Sequence, residues 1–262
     1  MTQALIDSHC HPPSGSSTEW LERALEAGVR ECIAIGTDLE DWGRYRSLAN
    51  EFPDNVHWTA GLHPCHVGDD FEAHLTALPE FLDTVEGKPP CALGEIGLDF
   101  TRLPKEQRDL LIQQQSEAFT RQLILAKERD LPVVVHSRGT VPECLSILEE
   151  TNFPANRAIF HCFTEGPDSL QAILSAGARC SFTGIITFKN AREVRESLER
   201  NGLENLILET DSPYLSPEPY RGKLNEPCRI DRIAEYCAEF FATSKEKIAE
   251  ITRRNTYDFF GL

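Results

Sequence analysis

Short apolar runs rich in Val, Ile and Ala alternate along this chain with longer segments whose apolar residues recur at helical spacing. A brief apolar run followed by a helical pattern is the signature of a strand buried on both faces of a parallel sheet. Such runs lie near Ala4 to Ser8, Glu31 to Gly36, Val56 to Leu62, Cys91 to Glu95, Pro132 to His136, Ala158 to His161, Arg179 to Thr183 and Leu206 to Thr210. Helix signals follow each of them. Ser16-Ser17-Thr18-Glu19 has the form of a capping box and opens a helix that stops at Gly28, and the longest helical stretch, roughly Pro104 to Asp130, follows the fourth run. A loop with four prolines, Pro213 to Pro227, leads into helices over Arg229 to Phe241 and Lys245 to Asn255. Eight βα units in 262 residues predict an α/β fold, a closed (β/α)8 barrel rather than an open doubly wound sheet, since such barrels run to about 250 residues. No repeat, low-complexity tract or linker divides the chain, so residues 1–262 read as one domain.

Composition adds mainly exclusions. With 40% apolar and 26% charged residues the chain reads as an ordinary soluble globular protein. No apolar run approaches the ~20 residues of a membrane span, and the N-terminus carries no secretory pattern, so a cytoplasmic protein without membrane partners is expected. The nine cysteines are an odd number without a CxxC pair, which points to reduced thiols and not to a disulfide framework. A net charge of −16 argues against a broad DNA-binding surface, leaving nucleic acid to a local site at most.

The candidate chemistry lies where the histidines and isolated carboxylates fall, at the C-terminal ends of the strand candidates. In a (β/α)8 barrel that end carries the catalytic groups. The first run ends in Asp7-Ser8-His9-Cys10-His11, and strand alternation puts His9 and His11 on one face, where two imidazoles can grip one ion. The third run leads into His63, the fourth ends at Glu95 and Asp99, the fifth at His136-Ser137-Arg138, the sixth at His161 and the eighth at Asp211. An imidazole or carboxylate at the end of an apolar run is costly to bury unless paired or metal-bound. Six such positions together point to metal far more than six unrelated core polars would. Glu95, with two oxygens on a middle strand, is the candidate to bridge two ions, while Asp211 would ligate metal and orient or deprotonate a water. His57, His66 and His74 read as structural or surface groups.

At these residues the chain resembles the TatD family of metal-dependent deoxyribonucleases, among the amidohydrolase-like TIM barrels. The match runs the whole length through Gly61-Leu62-His63-Pro64, Gly94-Glu95-Ile96-Gly97-Leu98-Asp99, Thr187-Phe188-Lys189-Asn190, Glu209-Thr210-Asp211-Ser212-Pro213-Tyr214 and Asn225-Glu226-Pro227, besides the histidine motifs above. The resemblance implies a hydrolase with DNA as substrate. It further implies two divalent ions, one held by His9, His11, Glu95 and Asp211 and the other by Glu95, His136 and His161, with His63 close to the substrate phosphate. Magnesium is the family's usual ion, while an imidazole-rich shell equally suits zinc, manganese, iron or nickel. Departures gather in mouth loops: Leu224 replaces a basic residue, Gly139-Thr140 replace Asp-Ala, Thr101 breaks an aromatic pair with Phe100, and Thr164-Glu165-Gly166 brings a negative charge toward the phosphate position. Binding to DNA would therefore rest on a cationic rim of Arg138, Arg221 and Lys223, with Lys189 and Arg229 converging on the metals. Without that rim, the same metal chemistry on a small ester, lactone or aminoacyl ester is the competing reading, and a non-enzymatic scaffold is a third. The sequence leaves the oligomeric state open, a monomer included.

Overall fold

A computed structural model describes residues 4–14, 18–68, 70–83, 87–101 and 103–262. Seven parallel strands follow one another in chain order: β1 Leu5–Cys10, β2 Val29–Ile35, β3 Val56–Ala60, β4 Ala92–Asp99, β5 Val133–Arg138, β6 Ala158–Phe160 and β7 Arg179–Cys180. Between and after them lie α1 Glu19–Glu26, α2 Leu39–Glu51, α3 Phe71–Leu82, α4 Arg108–Glu128, α5 Val141–Glu150, α6 Pro167–Ser175, α7 Arg192–Asn201, α8 Ile230–Phe240 and α9 Lys245–Phe260. Thr18 caps α1 without a side-chain bond, and the rest of the expected capping box, Ser16 and Ser17, lies outside the described residues.

The expected eighth strand closes the barrel in a form the sequence does not suggest. Residues 206–212 form no regular strand but bridge both edges of the sheet, Phe182 pairing with Leu208 and Cys10 with Ser212. Backbone bonds from Phe182 N–H to Ile207 O and from Ser8 N–H to Leu208 O, 3.0 and 3.3 Å, tie the segment to both neighbours. The ladder breaks at Thr210 because side chains take its backbone groups: Asp7 accepts from Thr210 N–H at 2.8 Å and Asn225 donates to its carbonyl at 2.9 Å. The result is a (β/α)8 fold closed partly by side chains.

Ile33, Ile35, Ala92, Val134, Ile159 and Ile207 pack together with Phe259 and Phe260 at the end of α9. Side chains from so many non-adjacent strands meet only inside a closed sheet, so this cluster is the barrel interior, with the two phenylalanines closing one end. The larger apolar cluster lies between the strands and the surrounding helices. Along β5, β6 and the 206–212 segment the interior parity continues upward, from Val134 to His136, Ile159 to His161 and Ile207 to Glu209 and Asp211. In β4 a register irregularity between Leu93 and Ile96 shifts the parity and turns Glu95 inward. Gly97 follows at φ +137°, where an added Cβ would stand 2.0 Å from the His136 carbonyl oxygen. Only glycine lets β4 approach β5 that closely. Among the described residues no helix is long and apolar enough to cross a membrane, and none of the nine cysteines is in a disulfide.

Candidate metal centre

His9 and His11 emerge from β1 with their Nε2 atoms 3.3 Å apart. Asp211 Oδ1 faces both, at 3.7 and 3.5 Å. Glu95, 3% exposed, turns Oε2 toward the same pair at 3.5 and 3.9 Å. Its other oxygen, Oε1, meets His161 Nε2 at 2.7 Å, His136 Nδ1 at 2.8 Å and His63 Nε2 at 3.2 Å. The two oxygens of one buried carboxylate thus divide the ligand-type side chains into two groups.

These residues fit metal ions. Nitrogens bound to one ion at about 2.0 to 2.1 Å stand roughly 3.0 to 3.4 Å from each other. The His9–His11 pair and the pair of His136 Nδ1 and His161 Nε2 are each separated by 3.3 Å. Without an ion the imidazoles and carboxylates hold one another: burial opposes ionisation of Glu95, but the facing His161, His63 and His136 outweigh it and keep its carboxyl well below the usual range. Burial likewise opposes a charged His161, and Glu95 and Glu209 overcome it, pushing the imidazole well up. An ion binding here would displace protons, so binding should strengthen as pH rises.

Among the described residues three groups of side chains each bring their His, Asp and Glu ligand atoms within 4.8 Å of one another: His9, His11 and Asp211; His63, Glu95 and His136; and His9, His161 and Glu209. Hydrogen bonds separate the donors from the supports. The backbone N–H of Cys65 donates to His63 Nδ1 at 3.0 Å, so a neutral His63 carries its hydrogen on Nε2 and presents a donor where a ligand would need a lone pair. Burial keeps that ring neutral, lowering it to about 4 against the pull of Glu95. Glu209 accepts from Cys162 N–H and Ser181 Oγ, both at 2.6 Å, and lies 3.4 Å from His161 Nδ1. Its oxygens are already engaged, which makes it a brace for His161. Asp99 stands in the same relation to His136 Nε2 at 3.6 Å, and the Ile35 carbonyl bonds His11 Nδ1 at 3.0 Å. Such partners behind ligating imidazoles fix the ring orientation. In the sequence Asp99 is one more carboxylate at the end of the fourth apolar run, while Glu209 carries no assigned role, although it stands two residues before Asp211 and so shares its face.

The centre forms the floor of a cavity of about 610 Å³. Arg138 lines it, together with Arg44, Cys65, His66 and Tyr214. Of the residues expected to form a cationic rim, Arg138 lines this cavity. Arg221, Lys223, Lys189 and Arg229 are absent from the cavity wall among the described residues. Arg221 covers the Phe188 ring at 4.3 Å, and Arg229 is spent on Ser216 Oγ, the Leu224 carbonyl and the Tyr220 ring, folding the proline-rich loop onto itself. Arg44, the other cation in the wall, is held by Asp41 at 2.6 Å and by the Pro12 carbonyl at 2.7 Å. Glu165 does not face the cavity: its carboxylate accepts from Gly139 N–H at 3.0 Å and clamps the turn after Arg138. His66 is a surface residue as expected, but one on the cavity rim, bonded to the Thr37 carbonyl at 3.2 Å.

A barrel with imidazoles and carboxylates gathered toward the C-terminal ends of its strands defines the class as a (β/α)8 protein with a candidate metal centre. Comparison with known proteins makes this narrower. Residues 6–261 match the family model described as TatD related DNase, and the chain belongs to that family of metal-dependent hydrolases. It is 34% identical over 258 residues to the uncharacterized metal-dependent hydrolase YcfH of Escherichia coli, covering 96% of this chain and 93% of that protein. It is also 34% identical over 250 residues to a Pantoea ananatis protein named 3'-5' ssDNA/RNA exonuclease TatD, covering 92% of both. The crystal structure of YjjV, a TatD homologue from Escherichia coli, superposes with a TM-score of 0.90 at 30% identity over 100% of both chains.

Proposed function

We propose that this protein hydrolyses DNA phosphodiester bonds with two divalent ions, and that the single observation carrying the reading is the division of Glu95 between two histidine groups. His9, His11, Asp211 and one Glu95 oxygen would hold the first ion, and His136, His161 and the other oxygen the second. Bound ions supply Lewis-acid charge to a phosphate and lower the pKa of a water toward neutrality. The chain's own groups do the rest. Asp211 would orient the attacking water and take its proton, while the Nε2 hydrogen of His63, which meets Glu95 at 3.2 Å, would be offered to a phosphate oxygen or leaving group. Arg138 neutralises a flanking phosphate. A cavity of about 610 Å³ has room for one strand end.

Support for DNA comes from the family's description and the name carried by the Pantoea relative. The sparse rim favours a second reading, the same chemistry on a small ester or lactone. End-labelled single-stranded DNA assayed beside a panel of such esters decides between them. The two-ion arrangement is tested separately by Glu95→Ala and His161→Ala. The first should abolish hydrolysis and lower metal content at both positions, because the ions would then repel across about 4 Å with no shared carboxylate. The second should remove close to one ion per chain. Circular dichroism checks folding and metal analysis after dialysis counts the ions; two retained ions and parental rates in Glu95→Ala would make Glu95 a structural carboxylate.

A further inference from the structure

Folding normally hides large aromatic rings, and this chain follows that rule closely: Trp20, Trp42, Trp58, Tyr45, Phe119, Phe160 and Phe182 are all buried. Tyr214 is 62% exposed. Of the large apolar side chains exposed to solvent among the described residues, it alone lines the metal cavity. Its ring meets His11 edge-on, with centroids 6.4 Å apart, and so stands immediately beside one of the two ligand groups. The other aromatics of this mouth are already covered, Phe188 by Arg221 and Tyr220 by Arg229. Among the described residues no cation covers Tyr214, and its ring contact is the one with His11.

The loop that presents Tyr214 is held on every side. Tyr214 N–H bonds the Asp211 carbonyl at 2.9 Å, Asn225 N–H bonds the Pro213 carbonyl at 2.9 Å, and Ser216 Oγ bonds the Lys223 carbonyl at 2.7 Å. The buried Asn225 side chain also reaches back to Thr210, tying the loop to the barrel wall. An exposed ring on a pinned backbone loses little entropy when a flat partner lands on it, and its exposure does nothing for the fold. Stacking on an aromatic side chain also needs no basic rim, which this mouth lacks.

From this placement we propose that Tyr214 is a stacking platform for the nucleobase next to the scissile phosphate. The proposal rests on the nuclease reading above and deepens it. Affinity then comes from the face of an unpaired base as much as from phosphate charge. Because every base has such a face, recognition is tolerant of sequence, yet it requires a base and excludes one still stacked in a duplex.

The test uses a single-stranded oligonucleotide carrying 2-aminopurine at its terminal residue, whose fluorescence falls when the base stacks, and a matched oligonucleotide that is abasic there. Binding is measured with the metal-stripped full chain, so no turnover intervenes, and hydrolysis is measured with the metal-loaded protein. The parental protein should quench the probe and bind the intact strand on the order of tenfold more tightly than the abasic one, in line with stacking measured on other proteins. Tyr214→Phe should keep both properties, and Tyr214→Leu should lose the quenching and bring the preference for the intact strand close to one. Equal quenching by the parent and Tyr214→Leu, or a preference unchanged in Tyr214→Leu, overturns the platform even if the enzyme cleaves DNA. Quenching that depends on the ring in a protein that cleaves no oligonucleotide keeps the platform and overturns the nuclease reading, while a parent that neither binds nor cleaves overturns both.

Discussion

His63 differs from its neighbours through one backbone hydrogen bond. The Cys65 N–H occupies its Nδ1 lone pair, whereas no backbone N–H takes a ring nitrogen of His9, His11, His136 or His161 among the described residues. The side chain expected beside the substrate phosphate, and outside the ligand set, is therefore a donor that meets Glu95. His63→Ala should keep the parental metal content and lose about a hundredfold in kcat, the usual scale for a positioned acid. His136→Ala should lose both. Metal analysis alongside turnover separates the two roles, and an ion lost from His63→Ala would place His63 in the ligand set. Asp99 and Glu209 act one step further out. Weakened metal affinity in Glu209→Gln, by about ten- to a hundredfold, is the expected result of a His161 ring free to turn.

At the level of elements, α9 is fastened to the barrel by a polar cluster remote from the metals. Glu31 of β2 accepts from Tyr257 Oη at 2.5 Å and Arg253 at 3.2 Å, both on α9, and stands 3.0 Å from His57 Nε2 of β3. His57 is thus structural, as the sequence reading held. Burial alone would raise the Glu31 carboxyl, but the bonds from His57, Tyr257 and Arg253 outweigh it and bring it from 4.5 to about 2. A carboxylate with a depressed folded-state value stabilises the fold above its unfolded value and loses that contribution as pH falls through the folded one. Stability should therefore decline between about pH 4.5 and 2 in the parent, more steeply than in Glu31→Gln. At pH 7 the variant should be less stable by about 1 to 3 kcal/mol, the usual cost of a lost charge-assisted bond at a buried site. Denaturant melts across pH give both numbers, and equal acid sensitivity in the two proteins would remove Glu31 as the cause. The cluster matters because α9 ends in Phe259 and Phe260, which close the barrel interior.

For the molecule as a whole, the relevant balance is a net charge of −16 against a cavity wall that offers Arg138 and a committed Arg44. A broad cationic DNA surface loses about 10³ or more in affinity between 50 and 200 mM salt. One or two phosphate contacts predict only about a three- to sevenfold rise in KM for single-stranded DNA over that range. Salt titration of KM tests this directly; a slope demanding six or more contacts would mean that the exposed Arg221 and Lys223 recruit phosphates from outside the cavity. The loss of Arg138 should raise KM more than the loss of Arg221, whose guanidinium is already stacked on Phe188.

The sequence by itself determined the βα alternation and the positions of His9, His11, His63, Glu95, His136, His161 and Asp211 on or just after the strand segments. It could do so because period-2 and period-3.6 patterns are local and because a polar residue ending an apolar run is visible without coordinates. Family motifs then named the chemistry. Three matters were decided only in three dimensions. Closure at residues 206–212 depends on Asp7 and Asn225 reaching Thr210 from 203 and 15 residues away. The inward turn of Glu95 depends on a register irregularity between β4 and β5, and a one-residue shift in pairing exchanges the two faces of a strand. Finally, side-chain partners decided what each charged or aromatic group was free to do: Arg221, Arg229 and Glu165 are engaged elsewhere, whereas Tyr214 is left open. Partners so distant along the chain leave no periodic trace in it, because they are chosen by the packing of elements and not by the residues beside them.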